Sequence, residues 1–305
     1  MEKTKAVSPF HAGEQAVQRR MGVREQIEAF ARQVVRPYLP DEHRQFYAGL
    51  PYMVIAARDQ SERPWVSLLV DEPGFVRSPD PEELLLDAQF PEGDALFGQL
   101  DSGNDVGLLG IELATRRRNR VNGRIISTDR GLRLRVDQSF GNCPAYIQPR
   151  EWRIHNNSIA PEVVRSHQLS ATQSEWIRHS DTLFIGSGHR GDTPAASFGM
   201  DASHRGGEAG FVAVTDHHTL VIPDYSGNNH FNTIGNLVKD PRIGLLFVDF
   251  SSGRTLQLTG SAQIDWDSVE VARHTGARRL IIVTVEEVVE VGNSLPIRWE
   301  PVSQG

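Results

Sequence analysis

One stretch of this sequence occurs twice, and that repetition limits the fold more than any other feature. Gly107-Leu108-Leu109-Gly110-Ile111-Glu112-Leu113 matches Gly244-Leu245-Leu246-Phe247-Val248-Asp249-Phe250. The match continues without a gap, Asn119–Gly123 facing Leu256–Gly260 at the same offset of 137 positions. Repeats of this length read as one supersecondary unit used twice. The competing reading is chance likeness between two β-hairpins of similar composition. Asp101-Ser102-Gly103-Asn104 also echoes Tyr225-Ser226-Gly227-Asn228, at a different offset. On that alignment the first copy has no room for the helix that follows in the second. It reads as degenerate, with one complete site in the pair.

The texture around the repeat is mainly β. Short β-branched or apolar runs at 52–57, 65–70, 106–113, 119–127 and 132–136 precede a polar stretch at 150–170. Similar runs return at 182–186, 195–200, 210–214, 219–222, 243–250, 255–264 and 279–291. Gly13–Val35 has a helical pattern ended by Pro37 and Pro40, and Asp41–Leu50 predicts a second short helix. A helix is expected from Thr172, capped with Glu175, and another between Asn228 and Asp240. The fold class is therefore α+β, mainly β with flanking helices. The expected organisation is an N-terminal helical segment at 1–50, a first unit at 51–155 and a second, site-bearing unit at 170–295.

A length of 305 residues suits two such units. The net charge of −7 argues against general nucleic-acid affinity. No apolar run is long enough to span a bilayer, and Met1–Gln15 lacks a secretory apolar stretch. The single cysteine, Cys143, permits no internal disulfide and reads as a buried structural thiol. A cytoplasmic setting without membrane partner is the expectation.

Three segments could carry chemistry. Leu220–His230 runs from a strand through Tyr225-Ser226-Gly227-Asn228-Asn229 towards a helix start, where free N–H groups attract anions. Asn228, Asn229 and Asn232 add amide donors and His230 a partial charge; a capped helix with surface asparagines is the plain alternative. Asp201–Phe211 reads as a glycine-rich loop carrying Ala202, Ser203, His204 and Arg205, or simply as a flexible turn. Arg116–Gly123 puts four arginines into five positions. Strand alternation then sends Arg118, Arg120 and Asn122 to one face, either towards a phosphate or into solvent. No Cys-x-x-Cys, His-x-x-x-His or Gly-x-Ser-x-Gly pattern points to a metal or a serine nucleophile.

In combination these strings resemble the pyridoxamine 5′-phosphate oxidase-like superfamily of FMN-binding split barrels, and within it a branch with two tandem barrels. The resemblance rests on Ser203-His204-Arg205-Gly206-Gly207, Leu220–Asn229, Asn232–Asn236, Asp240–Phe247 and Leu256–Gly260, with Arg116–Gly123 and Ser139–Ile147 in the first half. It implies two tandem split β-barrels with FMN between them. It further implies cofactor contacts at Ala202, Ser203, His204, Arg205, Asp224, Tyr225, Asn228, Asn229, Asn232, Asn236 and Gln257, with Arg118, Arg120 and Asn122 from the first barrel. Asn229 and His230 replace an Arg-Lys pair of the well-known oxidases, so the missing charge is expected from Arg118 and Arg120. The implied function is an FMN-dependent oxidoreductase acting on a nicotinamide or another small-molecule donor. No catalytic residue or metal is named. The alternative is a non-enzymatic carrier of flavin (FMN or FAD), F420 or haem. The chain is expected to act as its own pseudo-dimer or as a homodimer.

Overall fold

The computed structural model describes residues 7–129, 131–155 and 159–302; residues 1–6 of the expected helical segment and 156–158 of the polar stretch lie outside it. The chain opens with three helices, α1 (Ala12–Arg20), α2 (Arg24–Val34) and α3 (Asp41–Ala48). The single helix expected over Gly13–Val35 is thus two. Gly22, at φ +70°, turns the chain between them, and Met21 and Phe30 are exposed while Val17, Ile27 and Ala31 are buried.

The first sheet contains β1 (Tyr52–Arg58), β2 (Pro64–Val70), β3 (Val76–Arg77), β4 (Glu83–Leu86), β5 (Asp105–Glu112), β6 (Arg117–Ser127) and β7 (Leu132–Gly141). Its strand order is β2-β1-β5-β6-β7-β4-β3. Two strands follow in the polar stretch, where no strand was expected: β8 (Arg150–Ile154) and β9 (Glu162–Ser166). Helix α4 (Ala171–His179) then leads into the second sheet, its cap formed by Ser170 with Gln173 rather than by Thr172 with Glu175. That sheet holds β10 (Thr182–His189), β11 (Gly199–Gly206), β12 (Ala213–Val214), β13 (Thr219–Tyr225), β14 (Arg242–Val248), β15 (Thr255–Asp265) and β16 (Ala277–Gly292). Helix α5 (Asn232–Lys239) joins β13 to β14, and α6 (Val269–Arg273) joins β15 to β16. The order is β11-β10-β14-β15-β16-β13-β12, with β9 added beside β16. Finally β17 (Ile297–Pro301) pairs with β8.

The molecule is mainly β, two curled split-barrel sheets with flanking helices, and the two sheets have the same strand order. Their registers coincide too. Leu108 faces Val121 in β5–β6, and Leu245 faces Leu258 in β14–β15. Each sheet has a bulge at the same place, after Asn122 in one and after Thr259 in the other. Gly123 and Gly260 follow these bulges because a Cβ there would lie about 2 Å from the carbonyl of Arg135 or Thr284.

Each sheet buries its own core, and a third apolar cluster fills the space where they meet, with Val54, Ala56 and Leu109 against Phe184, Ala202 and Leu246. Glycines let the backbones touch there. A Cβ on Gly107 would fall 2.5 Å from Asp201 Cα, and one on Gly244 would fall 2.7 Å from the Pro64 carbonyl. Among the described residues no helix is long and apolar enough to cross a membrane.

The proposed likeness of Asp101–Asn104 to Tyr225–Asn228 does not survive. Residues 87–104 connect β4 to β5 at full length, and Gly103 sits at the far end, its N–H bonded to the Ile125 carbonyl. The first unit lacks the helix because this connection takes another path, not because it is short.

Candidate functional site

A cleft open to solvent lies where β6 and the segment after β7 of the first sheet face β11, β13 and the start of α5 in the second. Arg118, Arg120, Ser203, His204, Arg205, Asp224, Tyr225, Asn228, Asn229 and Asn232 all line it, so ten residues singled out in sequence meet in one place.

The segment expected to be a glycine-rich loop is largely a strand. Gly199–Gly206 is β11, antiparallel to β10 throughout. The glycines misled because Gly206 sits in the strand for reasons of space: a Cβ there would lie 2.0 Å from the Tyr146 carbonyl. On a strand, Asp201, Ser203 and Arg205 share a face, while Ala202 and His204 point to the other. Ala202 is wholly buried in the cluster between the sheets and does not line the cleft.

Arg120 anchors the floor. Its Nη1 donates to both oxygens of Asp201 at 2.8 and 2.9 Å and to Asn232 Oδ1 at 3.2 Å, and its Nη2 donates to Ser203. Thr233, on α5, donates to the same serine at 2.9 Å. Asn122 approaches Asp201 at the limit of hydrogen bonding, 3.5 Å, and stands behind the lining.

Arg118 is different. Its Nε donates to the Cys143 carbonyl at 2.8 Å and its Nη1 to His204 Nδ1 at 3.0 Å. Among the described residues no carboxylate lies within ion-pair distance of it. Burial, then the neighbouring Arg120 and Arg205, push its pKa down to about 9, so it stays cationic at neutral pH. Because arginine only donates, His204 must accept at Nδ1 and carry its proton on Nε2. Burial and then Arg118 hold His204 far below its ordinary pKa, and its Nε2 has no partner among the described residues. Arg120 Nε and Asn142 Nδ2 are likewise buried without partners. These three unsatisfied groups are all donors, and buried donors without acceptors are costly. The cleft therefore presents a cation and a set of N–H groups that an anion would satisfy.

Opposite them, Arg205 and Arg279 flank Asp224 at 3.3 and 3.1 Å. The turn 226–231 then enters α5, with Asn229 at φ +59° and Phe231 at φ +61°. A Cβ on Gly227 would meet nothing within 4 Å, so space is open there. Tyr225 and Tyr146 stack at the mouth, ring centroids 5.2 Å apart.

Some expectations fail. Asn236 does not reach the cleft; it accepts from His11 Nε2 at 2.9 Å and donates to Ser187. Gln257 lies on the other side of the contact between the sheets, accepting from Ala95 N and donating to the Val66 carbonyl. His230 adds no charge: it is buried beside Phe10 and Phe140, and burial lowers its pKa to about 4. Cys143 is exposed at the cleft edge rather than buried. Sequence reasoning missed Asn142, Tyr146 and Thr233, which the resemblance strings Ser139–Ile147 and Asn232–Asn236 contained, and Asp201, which had been read as part of a loop.

Residues 169–292 match the pyridoxamine 5′-phosphate oxidase family. A search of curated proteins returns no match. Among solved structures, similar chains include HupZ from Group A Streptococcus, 13% identical over 39% of this chain and 90% of that one, with a TM-score of 0.31. A FAD-binding protein from Mesorhizobium loti is 12% identical over 43% and 99%, with a TM-score of 0.29. An FMN-binding protein from Syntrophomonas wolfei is 10% identical over 38% and 84%, with a TM-score of 0.27.

Proposed function

We propose that this chain, whose residues 169–292 belong to the pyridoxamine 5′-phosphate oxidase-like superfamily, binds a flavin nucleotide, FMN in the first instance, in the cleft between its two sheets. One observation carries the reading: a cation without a carboxylate partner, Arg118, and the buried unpaired Nδ2 of Asn142 line the cleft together with an open turn at a helix start. An oxyanion matches that set of donors, and phosphate is the part of a flavin nucleotide with that chemistry. Arg118 would hold the phosphate, with Asn142 as a further donor and Asn228, Asn229 and the first N–H groups of α5 across from it. Arg120 is already committed to Asp201 and acts as a fixed strut.

A bound flavin supplies hydride acceptance from a reduced donor, so an oxidoreductase acting on a nicotinamide or another small molecule follows from this reading. The protein's part is position and electrostatics. His204 stays neutral, and Asp224 is held between two arginines. We further read the two sheets as two copies of one unit, so that the chain completes its site without a second molecule.

The test is the absorbance of the purified protein and its titration with FMN. Flavin bands as purified, or saturable FMN uptake, are expected. Arg118→Ala should weaken uptake ten- to a hundredfold, the usual worth of a charge-assisted contact. A colourless protein that ignores FMN, or a strong Soret band, overturns the assignment.

A further inference from the structure

Helix α1 packs against the back of the site. Gly13 and Gly235 let α1 and α5 touch: a Cβ on Gly13 would lie 2.2 Å from the Gly235 carbonyl, and one on Gly235 would lie 2.5 Å from Glu14 N. Backbone contact this close fixes where Glu14 sits. Its side chain is buried, 3% exposed. Oε2 accepts from the His11 N–H at 2.8 Å, closing the capping box that starts α1. Oε1 accepts from Asn232 Nδ2. An amide whose nitrogen is held in this way must turn its oxygen elsewhere, and Asn232 Oδ1 points to Arg120 Nη1 at 3.2 Å.

We infer that Glu14 is a positioning residue of the ligand cleft, setting the orientation of the Asn232 amide and through it the place of Arg120 and the first turn of α5. The inference rests on the reading of the cleft as a flavin-nucleotide site. Without a carboxylate at position 14, Asn232 is free to flip and present its NH2 group to a guanidinium. Arg120 then loses one of its acceptors while keeping Asp201 and Ser203, and the first turn of α5 loses its side-chain link to Arg120.

Glu14→Gln separates this role from helix capping. A glutamine oxygen still accepts from the His11 N–H, because Gln serves in a capping box as Glu does. Its NH2 group then faces Asn232 and forces the flip. The full-length variant is titrated with FMN, with its thermal midpoint measured alongside. A tenfold loss of FMN affinity with little change in midpoint is expected. The double variant Glu14→Gln/Asn232→Asp should bind FMN at least tenfold more tightly than Asn232→Asp alone, because the carboxylate introduced at position 232 then accepts from the amide introduced at position 14 and from Arg120 instead of facing the Glu14 carboxylate. The double variant is made in its own right, so a single variant that does not fold leaves the comparison intact: the pair must bind FMN while Asn232→Asp alone must not. Wild-type affinity in Glu14→Gln, or a double variant that binds FMN no better than Asn232→Asp alone, overturns the inference while Arg118→Ala still reports on the cleft. If Arg118→Ala also binds FMN normally, the flavin-site reading itself falls.

Discussion

The contact between the two sheets has two sides that correspond by strand register, one an open cleft and the other packed. On the open side, β6 offers Arg118 and Arg120, β11 offers Ser203 and Arg205, and β13 ends at Asp224. Strand register places Thr255 and Gln257 of β15, Ser67 and Leu69 of β2, and Ala88 beyond β4 at the matching positions of the other side. The charges have gone and one serine remains. Ser203 bonds Arg120 and Thr233, whereas Ser67 donates to Asp94 at 2.5 Å. Where α5 leaves a cleft, residues 87–104 drive Ala95 and Leu96 into the core. One barrel surface thus holds either a polar site or a packed seam, and the connection between the fourth and fifth strands decides which. One FMN per chain is the expected stoichiometry.

The sharpest way to break this equivalence is at the touching glycines. Gly107→Ala and Gly244→Ala each push a methyl into backbone across the contact, at 2.5 and 2.7 Å. Each should lower stability by roughly 3 kcal/mol, the upper end for overpacking, in denaturant unfolding. Only Gly107→Ala pushes on Asp201 and with it Arg120, so under conditions where both variants are folded only that one should lose FMN affinity. A neutral Gly244→Ala would show that the two sides are not packed alike.

The closed side makes a prediction of its own. Burial raises the pKa of Asp94 from 3.8 to about 6, despite its bonds to Ser67 and the Leu96 N–H. A carboxyl with a raised folded-state pKa stabilises the fold below its unfolded value, and that stability is lost as pH rises through the folded one. The window runs from about pH 4 to pH 6, and a shift of this size is worth at most about 3 kcal/mol. Asp94→Asn keeps an oxygen for the Leu96 N–H and offers an amide to Ser67, so it should flatten the dependence. Unfolding free energies at pH 4, 5, 6 and 7 for both proteins check this, and identical slopes would rule Asp94 out as the source.

Much of this comparison was legible in the sequence because spacing and composition record it. The offset of 137 that joins Gly107–Leu113 to Gly244–Phe250 also joins their hydrogen-bonded partners on β6 and β15. Alternation placed Arg118 and Arg120 on one face. What escaped reading depends on distant contacts. Gly206 looked like loop because its reason, the Tyr146 carbonyl, lies far along the chain. Strands β8 and β9 are mostly exposed, so no alternation marked them. Asn236 and Gln257 sit in the right strings, but their partners, His11 and Ala95, come from segments whose paths no local pattern gives. His230 turned inward because two adjoining residues adopt left-handed backbone, which sequence does not announce outside glycine.

The smallest effect concerns that same backbone. Asn229 holds φ +59°, a conformation that asparagine tolerates, glycine prefers and alanine resists. Two roles meet here, one shown and one proposed: shaping the turn on the open side, and offering an amide to the proposed ligand. Asn229→Gly keeps the turn and removes the amide, so its thermal midpoint should stay near wild type while FMN affinity falls about fivefold, roughly one neutral hydrogen bond. Asn229→Ala removes the amide and strains the turn, so it should lose the same affinity and about 1 kcal/mol of stability besides. If Asn229→Gly binds FMN as tightly as wild type, the side chain shapes the turn only, and the phosphate is held from the arginine side and the backbone of α5.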